Sequence, residues 1–177
     1  KEALFGGAAG GGKSSALLMA ALQYVDVPGY TAILFRRTYA DLALPGALMD
    51  RFEEWMKEYE DVKWNSNTYT ATFPSGARIT FGYLNNISDR LRYKGAECQF
   101  IGVDEVTEIP EADYKYMFSR LRRPKTGPIS KVPLRMRAAT NPAPNWVRER
   151  FIVEGKKKAR VFVPSFLDDN PGIEAES

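Results

Sequence analysis

Short apolar runs alternate along this chain with longer segments whose apolar residues recur at helical spacing, and their order points to a fold class. Ala3-Leu4-Phe5 is a short apolar run suited to a strand. Ser14 to about Tyr24 predicts a helix, with Ala16-Leu17-Leu18-Met19-Ala20-Ala21-Leu22 at its centre. Tyr30-Thr31-Ala32-Ile33-Leu34-Phe35 is rich in β-formers and follows a Pro28-Gly29 turn. Ala47 to Glu60 predicts a second helix that places Leu48, Phe52, Trp55, Met56 and Tyr59 on one core-facing side. Thr68 to Phe73 and Ala77 to Phe81 flank Pro74-Ser75-Gly76 and predict a hairpin. Asn85 to Lys94 is polar and predicts a short helix or loop. Cys98 to Val103, Leu134 to Ala139 and Arg160 to Val163 predict further strands, with helices over about Ala112 to Leu121 and over Trp146 to Phe151. Arg122 to Lys131 is a basic loop. This alternation predicts an α/β domain with a largely parallel sheet and the hairpin at its edge.

Between the first strand and the first helix stands Gly7-Ala8-Ala9-Gly10-Gly11-Gly12-Lys13-Ser14, which fits the phosphate-binding loop pattern G-x-x-x-x-G-K-[ST]. Glycines let the backbone curl so that its N–H groups line an anion-sized concavity. The positive end of the following helix faces the same place. Gly7, Ala8, Ala9, Gly10, Gly11, Gly12, Lys13, Ser14 and Ser15 are therefore the expected nucleotide-binding residues. Lys13 supplies charge to the β and γ phosphates and the Ser14 hydroxyl is placed to hold Mg²⁺. A flexible Gly/Ala loop before an ordinary helix is the plain alternative, and the strand–loop–helix context weighs against it.

Composition narrows the chemistry. The 177 residues suit one domain of ordinary size. Lys plus Arg is 25 and Asp plus Glu is 22, a net charge of +3 that is too mild to argue nucleic-acid binding by itself. The basic residues cluster at Arg90-Leu91-Arg92-Tyr93-Lys94, Arg120-Leu121-Arg122-Arg123-Pro124-Lys125 and Lys156-Lys157-Lys158. The chain has no histidine, which removes Ser-His and Cys-His catalysis. Cys98 is the single cysteine, so there is no disulfide framework, and a buried structural thiol is expected. No apolar run approaches the roughly 20 residues needed to span a bilayer, so no membrane partner is expected.

Phe100-Ile101-Gly102-Val103-Asp104-Glu105 supplies a second half of a site. An apolar strand buried on both faces delivers Asp104 at its C-terminal end, where ligands of open α/β sheets bind. Asp104 is the expected Mg²⁺ ligand together with Ser14, and Glu105 the group that orients and polarises an attacking water. Acids capping the next turn are the plain alternative. The second strand and the hairpin lie between Lys13 and Asp104, which favours the branch of P-loop NTPases with an additional strand between the two key strands (the RecA-like, ASCE branch). Thr140 and Asn141, at another strand end, suit sensing of a γ-phosphate, or simply a turn before Pro142.

These residues together resemble the ATPase domain of the large terminase subunit of tailed bacteriophages. The resemblance runs through Phe5 to Ser14, Leu34-Phe35-Arg36-Arg37-Thr38, Phe73-Pro74-Ser75-Gly76, Tyr93-Lys94-Gly95-Ala96-Glu97, Val103-Asp104-Glu105, Ser119-Arg120-Leu121-Arg122 and Ala139-Thr140-Asn141-Pro142, to Asp169-Asn170-Pro171. It implies a Mg²⁺-dependent ATPase that drives double-stranded DNA into a procapsid, with the portal protein and the small terminase subunit as partners. It implies a homo-oligomeric ring, usually a pentamer, and a single copy in isolation. The implied setting is the host bacterial cytoplasm with transient docking at the portal.

The resemblance also implies roles: Lys13 and Glu105 catalytic, Thr140 and Asn141 coupling hydrolysis to DNA movement. Many members carry an arginine just before the glycine matching Gly95, acting on a neighbouring subunit's ATP; here Lys94 stands there, and Arg92, Arg120 and Arg122 are the candidates for that role. Ala8 and Ala9 occupy the place of a basic residue found early in many members' loops. Residues 1–177 are expected to be the ATPase domain alone, without the upstream adenine-contacting segment and the C-terminal nuclease domain. A helicase or recombinase-like ATPase, a small-molecule kinase and a silent nucleotide-binding module remain as other readings.

Overall fold

The computed structural model describes residues 1–7, 12–141 and 143–166. Its strands form one eight-stranded sheet in the order β3-β4-β5-β2-β6-β7-β1-β8. The strands are β1 (Glu2–Gly7), β2 (Thr31–Arg36), β3 (Lys63–Asn65), β4 (Thr70–Thr72), β5 (Arg78–Tyr83), β6 (Phe100–Val103), β7 (Arg135–Thr140) and β8 (Val161–Ser165). Six of them, from β5 to β8 across the sheet, run parallel, and β3 and β4 join antiparallel at one edge. β7 lies between β1 and β6. This is the additional strand that the long gap between Lys13 and Asp104 predicts.

Helices cover both faces. α1 (Lys13–Leu22) and α3 (Leu48–Met56) bury Leu17, Leu18, Leu48 and Phe52 against Ala32, Leu34, Ile79 and Phe81. The opposite face buries Ile33, Phe35, Ile101, Val103 and Met136 under Tyr114 and Met117 of α4 (Glu111–Phe118) and Val147 of α5 (Trp146–Arg148). β2 and β6 thus feed side chains alternately to two cores, which explains their continuous apolar runs. Cys98 is fully buried, and burial pushes its thiol up to about 12, as a structural cysteine requires.

Three local features depart from the pattern-based expectation. The helix at Ala47 stops at Met56, so Tyr59 lies beyond its end and is 60% exposed rather than in the core. A short helix, α2 (Tyr39–Ala43), precedes it, started by a capping box in which Thr38 and Asp41 bond reciprocally. β3, whose three residues are all exposed, extends the hairpin into a three-stranded ribbon.

The base of β1 is anchored by charge. Glu2 is 8% exposed, and its carboxylate accepts from the Tyr114 hydroxyl at 3.1 Å, Arg150 Nε at 3.0 Å and Arg160 Nε at 3.2 Å. This network ties the strand leading into the phosphate loop to α4, to the helical turn after α5 and to the approach to β8. Among the described residues, no helix is long and apolar enough to cross a membrane.

Candidate nucleotide site

The C-terminal ends of β1, β6 and β7 converge on one edge of the sheet. β1 ends at Gly7, whose φ is +150° and whose Cα lies so close to β8 that a Cβ would overlap the Ser165 carbonyl oxygen. Only glycine fits there. Gly12 lies in the left-handed region with φ 71°, and its carbonyl accepts the Ala16 N–H of α1 at 2.9 Å. Ala8, Ala9, Gly10 and Gly11, expected to bind phosphate, lie outside the described residues. Lys13 is buried at the first turn of α1.

Ser14 and Asp104, 90 residues apart in sequence, meet at this edge. Ser14 Oγ lies 3.3 Å from both Asp104 carboxylate oxygens. Asp104 is 2% exposed and also pairs with Arg36 Nη1, from the end of β2, at 3.2 Å. Ser15, expected beside Ser14 as a nucleotide contact, accepts a hydrogen bond from Arg51 of α3.

Glu105 follows in an unusual conformation. Its φ of 47° and ψ of 49° are left-handed, costly for a residue with a Cβ and characteristic of functional turns. Burial and the neighbouring Asp104 raise the Glu105 pKa above the usual carboxylate value, while Arg36 and Lys13 oppose the rise. Lys13, Arg36, Asp104 and Glu105 therefore share one electrostatic environment.

Thr140 ends β7 in register with Gly6, one residue before the end of β1. Its hydroxyl donates to the Asn141 carbonyl at 3.0 Å and is 2.9 Å from the Thr107 hydroxyl, in the turn just after Glu105. Asn145 Nδ2 donates to the Thr107 carbonyl at 3.1 Å. The segment after β7 is thus bonded directly to the turn that carries Glu105. Asn141 itself is exposed.

With this geometry in place, sequence comparison is decisive: residues 4–145 match the family described as terminase large subunit, T4likevirus-type, N-terminal. The chain belongs to the terminase large subunit family. Among curated proteins, none matches the sequence significantly. Solved structures give the same fold. The large terminase of a thermophilic bacteriophage aligns with a TM-score of 0.70 at 17% identity, covering 99% of this chain and 42% of that one. Its complex with ATP-γ-S aligns at 0.69, again at 17% identity, with 99% and 42% covered. The ATPase domain of Thermus phage P74-26 large terminase, in an arginine-to-alanine variant, aligns at 0.53 and 16% identity over 84% of this chain and 64% of that one. This terminase chain therefore spans about two fifths of the length of the first of these relatives.

The arginines expected to act between subunits occupy two different ends of the terminase sheet. Arg92 stacks on the Tyr83 ring at 4.5 Å and pairs with Asp89 at 3.2 Å. Tyr83 ends β5 in register with Arg36, so Arg92 lies on the same edge as Asp104. The Arg120 carbonyl accepts from Cys98 N–H, six residues before Asp104. At about 3.3 Å per strand residue this puts the Arg120 backbone roughly 20 Å away, toward the opposite edge, with the Arg122 N–H bonded to the Cys98 carbonyl beside it, while the Arg120 guanidinium stacks on the Tyr116 ring at 5.2 Å.

Arg36 is the site residue that sequence reading passes over. It appears there only within the Leu34-Phe35-Arg36-Arg37-Thr38 segment of the resemblance, with no role assigned. A charged residue closing a strand that neighbours the acid-bearing strand was the available signal.

Proposed function

We propose that this chain is the ATP-hydrolysing motor part of a large terminase, driving double-stranded DNA into a procapsid. One observation carries the reading: in a chain of this family, the Ser14 hydroxyl lies 3.3 Å from both oxygens of buried Asp104. A hydroxyl and a buried carboxylate facing each other at the end of parallel strands are the oxygen donor set Mg²⁺ prefers, so these two residues fit that ion. Bound there, Mg²⁺ would neutralise charge building on the transferred phosphate.

The chain's own groups do the rest. Lys13, at the start of α1, donates to phosphate oxygens, together with the loop N–H groups. Ser14 and Asp104 would hold that ion beside the phosphates. Glu105 accepts the proton of the attacking water, or holds that water in line, and its raised pKa suits it to that task. Thr140 and Asn141 relay the loss of the terminal phosphate, through Thr107, to the segment after β7. Arg92 and Arg120 are proposed as candidates to complete a neighbouring subunit's site in a ring, which would be pentameric. Double-stranded DNA, held through its phosphates, the portal protein and the small subunit are the proposed partners, met in the host cytoplasm at the procapsid portal.

The test is turnover of ATP by the assembled terminase with DNA present. Glu105→Gln is expected to lower kcat by at least 10²-fold while leaving nucleotide affinity within about threefold. Full turnover in this variant would refute the assignment of Glu105, and release of phosphate only onto a small-molecule alcohol would favour a kinase.

A further inference from the structure

The end of β2 carries a charge to which the nucleotide reading assigns no task. Arg36 Nη1 lies 3.2 Å from Asp104 Oδ2, with the two side chains only 16% and 3% exposed. Ser14 Oγ approaches the same carboxylate oxygen at 3.3 Å. The carboxylate that would face a metal is therefore already neutralised by a cation of the protein itself. The pairing is also incomplete. An arginine built as a permanent clamp offers two parallel N–H groups to a carboxylate. Here a single Nη donates to the carboxylate, and the buried Arg36 Nε has no hydrogen-bond partner among the described residues. A buried donor left unpaired marks an arrangement that gains by finding another acceptor.

We propose that Arg36 is a positioning residue that stands in for the divalent cation: it holds Asp104 in the nucleotide-free chain and yields it when the ion arrives with the nucleotide. This rests on the reading that Ser14 and Asp104 face nucleotide-borne Mg²⁺. The physical reason is competition. Two cations at hydrogen-bonding distance from one nearly dry carboxylate repel each other, so each weakens the other's hold on Asp104. The handover also has a route outward. Arg36 is two residues from Thr38, which caps α2 through its reciprocal bonds with Asp41. A shift at the strand end is passed directly to the start of that helix.

The test measures linkage rather than turnover. ADP affinity is determined by calorimetry with Mg²⁺ and with a chelator, for the natural sequence, Arg36→Met and Arg36→Lys. With chelator, the Met variant should bind ADP within twofold of the natural sequence. Added Mg²⁺ should tighten its binding by a factor about fivefold larger than in the natural sequence, because the competing cation is gone. Arg36→Lys, which keeps the charge, should show the natural tightening within twofold. Equal or weaker tightening in the Met variant would overturn the proposal. Should that variant fail to fold, the Arg36 Nε–H resonance of the natural sequence decides, assigned by its loss in Arg36→Lys. It should shift with ADP and Mg²⁺ and stay in place with ADP and chelator, and an unmoved signal under saturating ADP and Mg²⁺ would overturn the proposal. Failure of the natural sequence to bind ADP at all, or to respond to Mg²⁺, would sink the nucleotide reading on which the proposal stands.

Discussion

Replacing Glu2 by Ala should cost more stability than any surface change in this chain, and the size of the loss follows from what the carboxylate holds. Glu2 accepts from Tyr114, Arg150 and Arg160, and the two arginine side chains are only 10% and 13% exposed. Removing the acid leaves two mostly buried guanidinium groups close together. Breaking a buried pair from one side typically costs about 3–5 kcal/mol. Arg160 keeps Glu154 at 3.2 Å and Arg150 keeps Glu111 at 3.5 Å, so the lower end, about 3 kcal/mol, applies. For a domain of this size each kcal/mol moves Tm by roughly 2–4 °C, giving a fall of about 6–12 °C. Glu2→Gln keeps an acceptor and should lose about half as much. Urea denaturation with a thermal melt checks both variants. A loss below about 0.5 kcal/mol for Glu2→Ala would refute the view that this buried network anchors β1, and with it the phosphate loop, against β8.

Two further outcomes follow from the site. Gly7→Ala puts a Cβ into the Ser165 carbonyl oxygen, so β8 must shift; the variant should lose nucleotide affinity by about tenfold or more and melt lower, with unchanged affinity contradicting the close approach. The Glu105 pKa is raised in the folded chain by burial and by Asp104, so ionised Glu105 opposes folding above that pKa and does not below the unfolded value. Glu105→Gln should therefore raise Tm at pH 7.5 in nucleotide-free protein, with the gain shrinking as pH falls toward about 4, near the ordinary Glu pKa; a pH-independent difference would contradict it.

The parallel core was readable because its strands are buried on both faces and its helices carry apolar stripes, as at Tyr30 to Phe35 and Leu17-Leu18. The meeting of Ser14 with Asp104 was readable from two motifs, since a glycine-rich lysine-serine turn and an acid ending a doubly buried strand belong at the same edge of a parallel sheet. β3 was not, because its three exposed residues have no alternation and owe their strand state to pairing with β4. α2 was missed although Thr38 and Asp41 spell a capping box, because five residues give no periodicity. Tyr59 was misplaced by extending a helical stripe past the turn that ends at Met56. Arg36 was missed for a different reason: its partner is fixed by strand order, with β2 beside β6, and neighbours in a sheet are not neighbours in sequence.

The central proposal is a magnesium nucleotide lying between Lys13-Ser14 and Asp104-Glu105. The most direct measurement is a crystal structure of this chain with ATP-γ-S and Mg²⁺. The expected result is Ser14 Oγ bound to the ion at about 2.1 Å, Asp104 reaching it directly or through one water, and Glu105 facing the terminal phosphate. An ion or phosphate group held away from Ser14 and Asp104 would contradict it.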